Sequence, residues 1–377
     1  MALNADLLTP GAVNGAVKAI ADTIRRSNCA GAIQYVPVIT WMLFLRILDT
    51  IEQAEEIEAM VTEDGFSPAI DAPYRWRDWG DPNGPKRSEI SINGNEGDAI
   101  RFVNNDLFPY LQNLRDRDSA TERQRVVGEV FTLLRRTKHD VSYEVNFLET
   151  LDQIHTLRED TNDSRQVFAL SQVYEGLLLK MGEKNNDGGQ FFTPREVIRA
   201  MVRIVNPQPG QTVYDPCCGT GGFLAQSYEH MKDGAKTPEA VRRLKTRSFY
   251  GREKEDLVVP ITLANLVLHG IDGPHIWHGN SLTGRAAYEG FWKGAPDQFD
   301  VILTNPPFGG KESANAQQRF AYRTGATQIL FLQEFSDFLK EKAGYQINPS
   351  RQIVTNMVGV SPDKKTFLAS NYVFILP

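Results

Sequence analysis

Val213-Tyr214-Asp215-Pro216-Cys217-Cys218-Gly219-Thr220-Gly221-Gly222-Phe223 is the stretch on which the fold turns. It predicts a short strand closed by an acid and a proline, a glycine turn, and a helix near Gly222–Met231. Glycines between a strand and a helix let a ligand approach the backbone, and the helix start presents free N–H groups. A nucleotide-like ligand is implied. The glycine order is not the GxGxxG of hydride-transfer enzymes, and Gly309-Gly310-Lys311 lacks the upstream glycine and the Ser/Thr of a phosphate loop.

Outward from this turn the same alternation repeats. Thr212–Tyr214, Ser248–Gly251, His275–Trp277 and Phe299–Thr304 read as strands, with helices near Leu257–Leu268 and Gln328–Leu339. Alternating strands and helices predict an α/β domain with a parallel, doubly wound sheet whose ligands lie at the carboxyl ends of the strands. Just upstream, Asn185–Gly189 reads as a hinge. Thr193-Pro194-Arg195-Glu196 then reads as a helix start, with Thr193 as the cap and Glu196 reaching back to complete a capping box, and a helix follows through Val205.

Residues 1–184 are set apart as a mostly helical N-terminal domain from the α/β domain of 185–377. Apolar residues recur there at helical spacing: Ile39, Leu43 and Leu45–Leu48, then Val127, Val130, Phe131 and Leu134, then Val167, Leu170, Val173 and Leu177. The Gly-, Pro-, Asp- and Trp-rich segment Asp71–Asp98 predicts an extended surface loop, packed down by Trp76 and Trp79. Arg115, Arg117, Arg123, Arg125, Arg135, Arg136 and Lys138 are interleaved with acids and read as a solvated helical face in preference to a DNA track.

Composition narrows the class. With 41% hydrophobic and 23% charged residues over 377 positions, the chain is neither disordered nor a disulfide scaffold. The formal net charge of -6 gives no global field for gripping nucleic acid, so any DNA contact must be local or shared with a partner. Cys217 and Cys218 are adjacent and poorly placed to bridge each other, which with a single further Cys29 fits a reducing cytoplasm. The opening MALNADLLTP lacks signal-peptide character, and Tyr35–Leu45 stops well short of the roughly 20 residues of a membrane span, so it reads as a buried helix.

Two further groups carry chemistry. Glu253 closes the second strand, where a carboxylate can accept both hydroxyls of a ribose. Asn305-Pro306-Pro307-Phe308 closes a buried strand, and its prolines hold Asn305 and Phe308 rigidly at the sheet edge. The Asn305 and Pro306 carbonyls can accept the two hydrogens of a planar amine while Phe308 stacks on its ring. A nitrogen attacking a methyl group becomes tetrahedral and positive, so such acceptors stabilise the transition state without a strong general base. His275 and His278 beside Cys217 and Cys218 match no standard zinc spacing, and no metal site is expected.

Together these motifs resemble the amino-methyltransferases that use S-adenosylmethionine. With Gln190–Arg195 ahead of the glycine turn, and Gly251–Glu253 leading to Leu266–Gly270, they resemble more narrowly the modification (M) subunit of type I restriction–modification systems. The resemblance implies a Rossmann-like S-adenosylmethionine-dependent methyltransferase domain preceded by a helical domain, acting as an adenine-N6 DNA methyltransferase. It implies that Gln190, Phe191, Phe192, Thr193, Pro194 and Arg195, with Asp215, Gly219, Thr220, Gly221 and Gly222, line the cofactor and that Glu253 holds its ribose. Asn280 falls near the cofactor's adenine, where the family commonly has an aspartate. Asn305, Pro306, Pro307 and Phe308 form the catalytic tetrapeptide. The implied partners are double-stranded DNA with a flipped adenine, a specificity (S) subunit, a second M subunit and restriction (R) subunits, with no membrane.

An Asn-Pro-Pro-aromatic motif also serves protein-glutamine and RNA amines, and a non-catalytic assembly subunit could keep the same fold; Phe308 and Gln190–Arg195 favour DNA. The resemblance weakens after the helix Gln328–Leu339, where Gln352–Val360 and Tyr372–Leu376 are the remaining strand candidates. The expectation is that this tail supplies replacement edge strands, or that the chain is a truncated form with impaired assembly.

Overall fold

The structure is a computed structural model that describes residues 10–26, 32–62, 65–92, 97–136, 144–156, 193–282, 290–307, 311–338, 352–355, 357–360, 367–370 and 373–375. The sequence expectations at Val167–Leu177, Gln190, Phe191, Phe192 and Phe308 lie outside the described residues. The chain divides into two compact units, Met1–Asn186 and Asp187–Pro377.

The first unit is helical. It comprises α1 (Pro10–Arg25), α2 (Ala32–Thr62), α3 (Trp76–Trp79), α4 (Pro85–Ile92) and α5 (Asp98–Phe102). A π-helical turn at Val103–Leu107 leads into α6 (Phe108–Asn113), followed by α7 (Glu122–Arg136) and α8 (Glu144–His155). Helix α2 is the spine: every residue from Val38 to Leu45 is buried, as its unbroken apolar run predicts. The Trp41 ring packs on Trp79, Phe108 and Phe147 with centroids 6.1, 5.1 and 6.4 Å away.

Two expectations for this unit need revision. Asp71–Asp98 is not an extended loop, because it contains α3 and α4. Its glycines and prolines act as helix punctuation: Gly84 donates to Asp81 O in a tight turn, and Pro85 opens α4, where a missing N–H costs nothing. Trp76 and Trp79 do serve as anchors, at 1% and 2% exposure. The basic stretch is also less free than a solvated face. Arg123 grips Glu55 with both terminal nitrogens, at 2.6 and 2.8 Å, and Arg115 and Arg117 pair with Glu129 and Asp71.

The second unit is the doubly wound domain. Helix α9 (Arg195–Val205) precedes β1 (Val213–Asp215), α10 (Gly222–Met231), α11 (Pro238–Arg247), β2 (Phe249–Glu253), α12 (Val259–Leu268), β3 (His275–His278) and β4 (Val301–Thr304). After them come α13 (Ala314–Gln317), α14 (Thr327–Phe338), β5 (Gln352–Thr355), β6 (Met357–Val360), β7 (Phe367–Ser370) and β8 (Val373–Ile375). The main sheet runs β3-β2-β1-β4-β5-β8, parallel except for β8, while β6 and β7 form a separate antiparallel pair. The strand order reverses between β1 and β4, the place where such sheets open a crevice, so Asp215 at the end of β1 and Asn305 just after β4 meet its edge.

Register sorts the side chains. Tyr214 lies level with Tyr250 and with Ile302, so the three share one face. That face packs on Trp292, Phe299 and the α14 residues Leu330, Phe331 and Phe335. Val213, Asp215, Gly251 and Glu253 alternate to the other face or its rim.

Further differences from expectation are local. The tail does add strands to the β4 edge, β5 in parallel and β8 antiparallel to it. The single candidate Gln352–Val360 is in fact two strands in two sheets, and β7 was not anticipated. Helix α11 was also missed, although Thr237 accepts the Ala240 N–H and Pro238 follows it, the very signature assigned to Thr193-Pro194. At Thr193 that signature fails: α9 starts at Arg195 with no side-chain cap. No helix among the described residues is long and apolar enough to cross a membrane.

Glu52, on α2, is 2% exposed; it accepts the Ala69 N–H at 2.7 Å and faces Arg123 at 3.5 Å. Burial pushes its carboxyl up from 4.5 to about 7, outweighing the lowering by Ala69 and Arg123. A group with a raised folded pKa binds its proton more tightly when folded, so its stabilisation is complete below about 4.5 and is lost as pH climbs through about 7. Glu52→Gln, which keeps the acceptor for Ala69, should therefore raise stability at pH 8 by about 3 kcal/mol and change it little at pH 4.5. Calorimetric scans of both chains across this range test it; parallel pH profiles would refute the assignment.

Candidate active site

Asp215 ends β1 with 1% exposure and accepts the Cys217 N–H at 3.0 Å, turning the chain into the glycine loop. Burial pushes its carboxyl up to about 7. Burial likewise raises the Cys217 and Cys218 thiols well above their ordinary range, so they stay protonated, and no cluster of metal-ligating groups occurs among the described residues.

The loop is held from two sides. From above, Glu253 at the end of β2 accepts the Gly219 N–H on Oε2 at 2.9 Å and the Lys254 and Glu255 N–H groups on Oε1 at 2.8 and 2.9 Å. Burial holds the Glu253 carboxyl above its ordinary range, and these three donors offset only part of that rise. A carboxylate oxygen has two acceptor sites, so Oε2 keeps capacity for a ligand hydroxyl. From below, Thr262 donates its hydroxyl to Gly219 O, and Asn265 donates Nδ2 to Thr220 O at 2.8 Å. Thr262 and Asn265 are spaced i, i+3 on α12, a helix buried along its whole length. Sequence reasoning missed both, although polar side chains in the otherwise apolar run Val259–Leu268 must find buried partners.

Gly219 and Gly221 have φ of 52° and 84°, and they differ in surroundings. A Cβ on Gly221 would lie 3.0 Å from Leu266 Cδ2 and 3.3 Å from Thr262 Cγ2, whereas one on Gly219 would meet nothing within 4 Å among the described residues. Gly221 is thus a packing glycine, and Gly219 borders space that no described residue fills. Gly222, the first residue of α10, has only Ile198 Cδ1 at 3.0 Å from its Cβ position, and Thr220 is buried.

Asn280 follows β3. Its Oδ1 accepts the Leu282 N–H at 2.9 Å and its Nδ2 points to Glu312 Oε1 at 3.5 Å. The next residue, Ser281, donates its hydroxyl to Pro216 O at 2.6 Å and receives Arg319 on its carbonyl at 3.1 Å. Ser281, Arg319 and Glu334 therefore belong to the frame of the site, a role carried by tertiary contacts that no local motif signals.

At the crevice's other wall β4 ends in Thr304, and Asn305, Pro306 and Pro307 follow. Asn305 donates Nδ2 to the Thr193 hydroxyl at 2.9 Å, while its Oδ1 is buried without a hydrogen-bond partner among the described residues. That carbonyl is an acceptor in want of a donor. The Thr193 hydroxyl, assigned to a helix cap by sequence, is engaged here because Pro194 in an extended conformation (φ -54°, ψ 138°) is itself the residue entering α9. Thr193, Asp215, Gly219–Gly222, Glu253, Asn280 and Asn305–Pro307 all belong to the second unit. His275, by contrast, stacks on Tyr250 at 4.6 Å, with its two ring nitrogens 2.7 and 2.8 Å from the backbone carbonyls of Phe291 and Thr246.

A doubly wound sheet with this glycine loop after β1 and Asn-Pro-Pro after β4 has the fold of α/β methyltransferases. The model of the N-6 DNA Methylase family matches residues 165–345, and that of the HsdM N-terminal domain matches residues 13–159. A modification subunit assigned to a type I restriction enzyme of Vibrio vulnificus YJ016 superposes with a TM-score of 0.76 at 34% identity, over 91% of this chain and 71% of that one. The chain belongs to the modification (methylase) subunits of type I restriction–modification systems. The EcoEI methylase subunit of Escherichia coli is 34% identical over 88% of this chain and 63% of its own length, and the StySPI subunit of Salmonella potsdam 28% identical over 63% and 45%. The chain thus spans less than two thirds of these curated relatives.

The two loop glycines make a matched test. Both pay the left-handed penalty of about 1 kcal/mol on substitution by alanine, but only Gly221 also meets packed atoms. Gly221→Ala should cost about 2–3 kcal/mol and Gly219→Ala about 1 kcal/mol in denaturant unfolding; equal losses would show that the Gly221 contacts with Leu266 and Thr262 are not what restricts that position.

Proposed function

We propose that this chain transfers a methyl group from S-adenosylmethionine to the N6 amino group of adenine in DNA, as the modification subunit of a type I complex. The observation that carries the reading is the buried Oδ1 of Asn305, without a hydrogen-bond partner among the described residues, at the switch point of the sheet. S-adenosylmethionine, when bound, supplies an electrophilic methyl group on a sulfonium. On this reading the glycine loop and Gln190–Arg195 flank that cofactor, Glu253 Oε2 takes its ribose, and Asn280 offers Nδ2 toward its adenine. The donors and acceptors fit such a group, since Glu253 keeps acceptor capacity and Gly219 leaves room for close approach.

Asn305 Oδ1 and the Pro306 carbonyl would accept the two N6 hydrogens. As the N6 lone pair would form its bond to the methyl carbon, the methyl carbon–sulfur bond would break with its electron pair leaving on sulfur as a neutral thioether, and the amine hydrogens would turn more positive, so these acceptors would bind more tightly and lower the barrier selectively. The nitrogen would then lose a proton to solvent water and regain neutrality. Phe308 would stack on the base, which must leave the duplex to reach this crevice. The family assignment favours DNA adenine over protein-glutamine or RNA amines. Reading of the DNA sequence falls to a specificity subunit, with a second modification subunit and restriction subunits completing the assembly.

Tritiated S-adenosylmethionine with unmethylated genomic DNA, with and without the specificity subunit, tests the reading: label should appear in adenine only in the complex. Asn305→Ala should abolish that label while leaving cofactor affinity nearly unchanged, because Asn305 touches the amine and not the cofactor; a variant with wild-type turnover would remove the tetrapeptide from the chemistry. Alone, a chain of net charge -6 should bind DNA weakly and without sequence preference, so a nuclease footprint at one defined sequence from the isolated subunit would contradict the division of labour.

A further inference from the structure

An asparagine amide has two ends of nearly equal size, so the same pocket accepts it in either orientation unless hydrogen bonds distinguish them. Asparagine at a chain bend ordinarily spends its carbonyl on a backbone N–H two residues onward. At Asn305 that route is closed, because the next two residues are Pro306 and Pro307 and neither carries an N–H. The local backbone therefore cannot orient the amide. The amide's partner comes from 112 positions earlier in the chain: the Thr193 hydroxyl oxygen accepts Nδ2–H at 2.9 Å and leaves Oδ1 buried with no partner among the described residues; a hydroxyl can also donate, so it is the arriving amine, itself a donor, that fixes Oδ1 as the end it meets and the hydroxyl as the acceptor of Nδ2–H.

The Thr193 hydroxyl is available because it does not cap the helix. The Val197 and Ile198 N–H groups in the first turn of α9 go to Pro194 O, each at 3.0 Å. We propose that Thr193 is a positioning residue for Asn305, holding the amide nitrogen so that the carbonyl end faces the reacting amine. This rests on the amine-methylation reading above and deepens it, since it moves Thr193 from the cofactor's lining to the alignment of the acceptor. Without the hydroxyl, turning Oδ1 toward the amine would strand a buried NH2, and turning NH2 toward the amine would set donor against donor. Either way the acceptor is lost at the moment the nitrogen becomes positive, while the binding of the cofactor is untouched.

The test compares wild type, T193S, T193V and T193A in the assembled complex with DNA, reading kcat at saturating tritiated S-adenosylmethionine and, separately, the equilibrium affinity for that cofactor. T193V and T193A should lose about 10- to 100-fold in kcat, with cofactor affinity within about 3-fold of wild type and unchanged thermal melts, and T193S should stay within about 3-fold throughout. Full turnover in T193V, or T193S falling as far as T193V, overturns the proposal. So does a loss that tracks cofactor affinity, which would make Thr193 a cofactor contact. If T193V melts early, T193A carries the comparison, having no added bulk. A wild-type complex that places no label in adenine overturns the underlying reading instead, so the two failures are separable.

Discussion

Arg252 donates to Glu334 at 3.1 Å with 1% and 0% of their side chains exposed, in the aromatic core of the second unit. A guanidinium does not shed its charge, and a buried ion without its partner costs several kcal/mol, so neither residue can be separated from the other. Rings of Trp277, Phe338 and Trp292 lie 4.9, 4.9 and 5.2 Å from the guanidinium carbon. Strand alternation then fixes Glu253: with Arg252 committed to the α14 face, its neighbour must turn to the rim of the other, where the glycine loop waits. Glu334 also receives Arg319, which holds Ser281 O, and Ser281 holds Pro216 O. One buried charge cluster thereby ties α14, β2, the loop after β3 and the start of the glycine loop into one frame.

The helical unit solves a different problem with similar means. Helix α2 buries its middle turns against aromatic rings and then carries Asp49, Glu52, Glu55 and Glu56 along its later turns. Arg77 meets Asp49 at 2.8 Å and Glu56 at 3.1 Å, and Arg123 meets Glu55 and, at 3.5 Å, Glu52. These pairs are partly shielded, so they contribute mainly to which segment docks where, and only modestly to stability. They also account for part of the basic stretch that stands out in the sequence: Arg115, Arg117 and Arg123 are occupied by acids of their own unit.

How far the sequence disclosed this follows from the range of each interaction. Strand ends and the glycine loop were legible because their signals are local: Asp215-Pro216, the αL glycines and Asn305-Pro306-Pro307 each dictate backbone geometry within a few residues. Glu253 was legible because the doubly wound topology assigns a place to whatever acid closes the second strand. The Thr193 cap was misread because a hydroxyl has several suitors, and a partner 112 residues away is invisible to a four-residue pattern. Thr262, Asn265, Ser281 and the Arg252–Glu334 pair escaped for the same reason, since their meaning lies in contacts between elements. The division of Gln352–Val360 into β5 and β6 is announced by no glycine or proline between the two strands.

The glycine loop shows why so much structure surrounds so small a turn. Its carbonyls at Gly219 and Thr220 are drawn down by Thr262 and Asn265, and the Gly219 N–H is drawn to Glu253, so the backbone is set before any ligand arrives. A loop ordered in advance does not pay its conformational entropy at binding, and its dipoles need not reorganise during reaction. The same logic governs the opposite wall, where two prolines stiffen the chain and Thr193 takes the amide nitrogen. Both walls leave an acceptor with capacity, Glu253 Oε2 on one and Asn305 Oδ1 on the other, and neither needs to act as a base. On the proposed amine-methylation reading, a nitrogen that turns positive for an instant would be served by such fixed acceptors, and the surrounding ion pairs, prolines and buried hydroxyls are what keep them fixed.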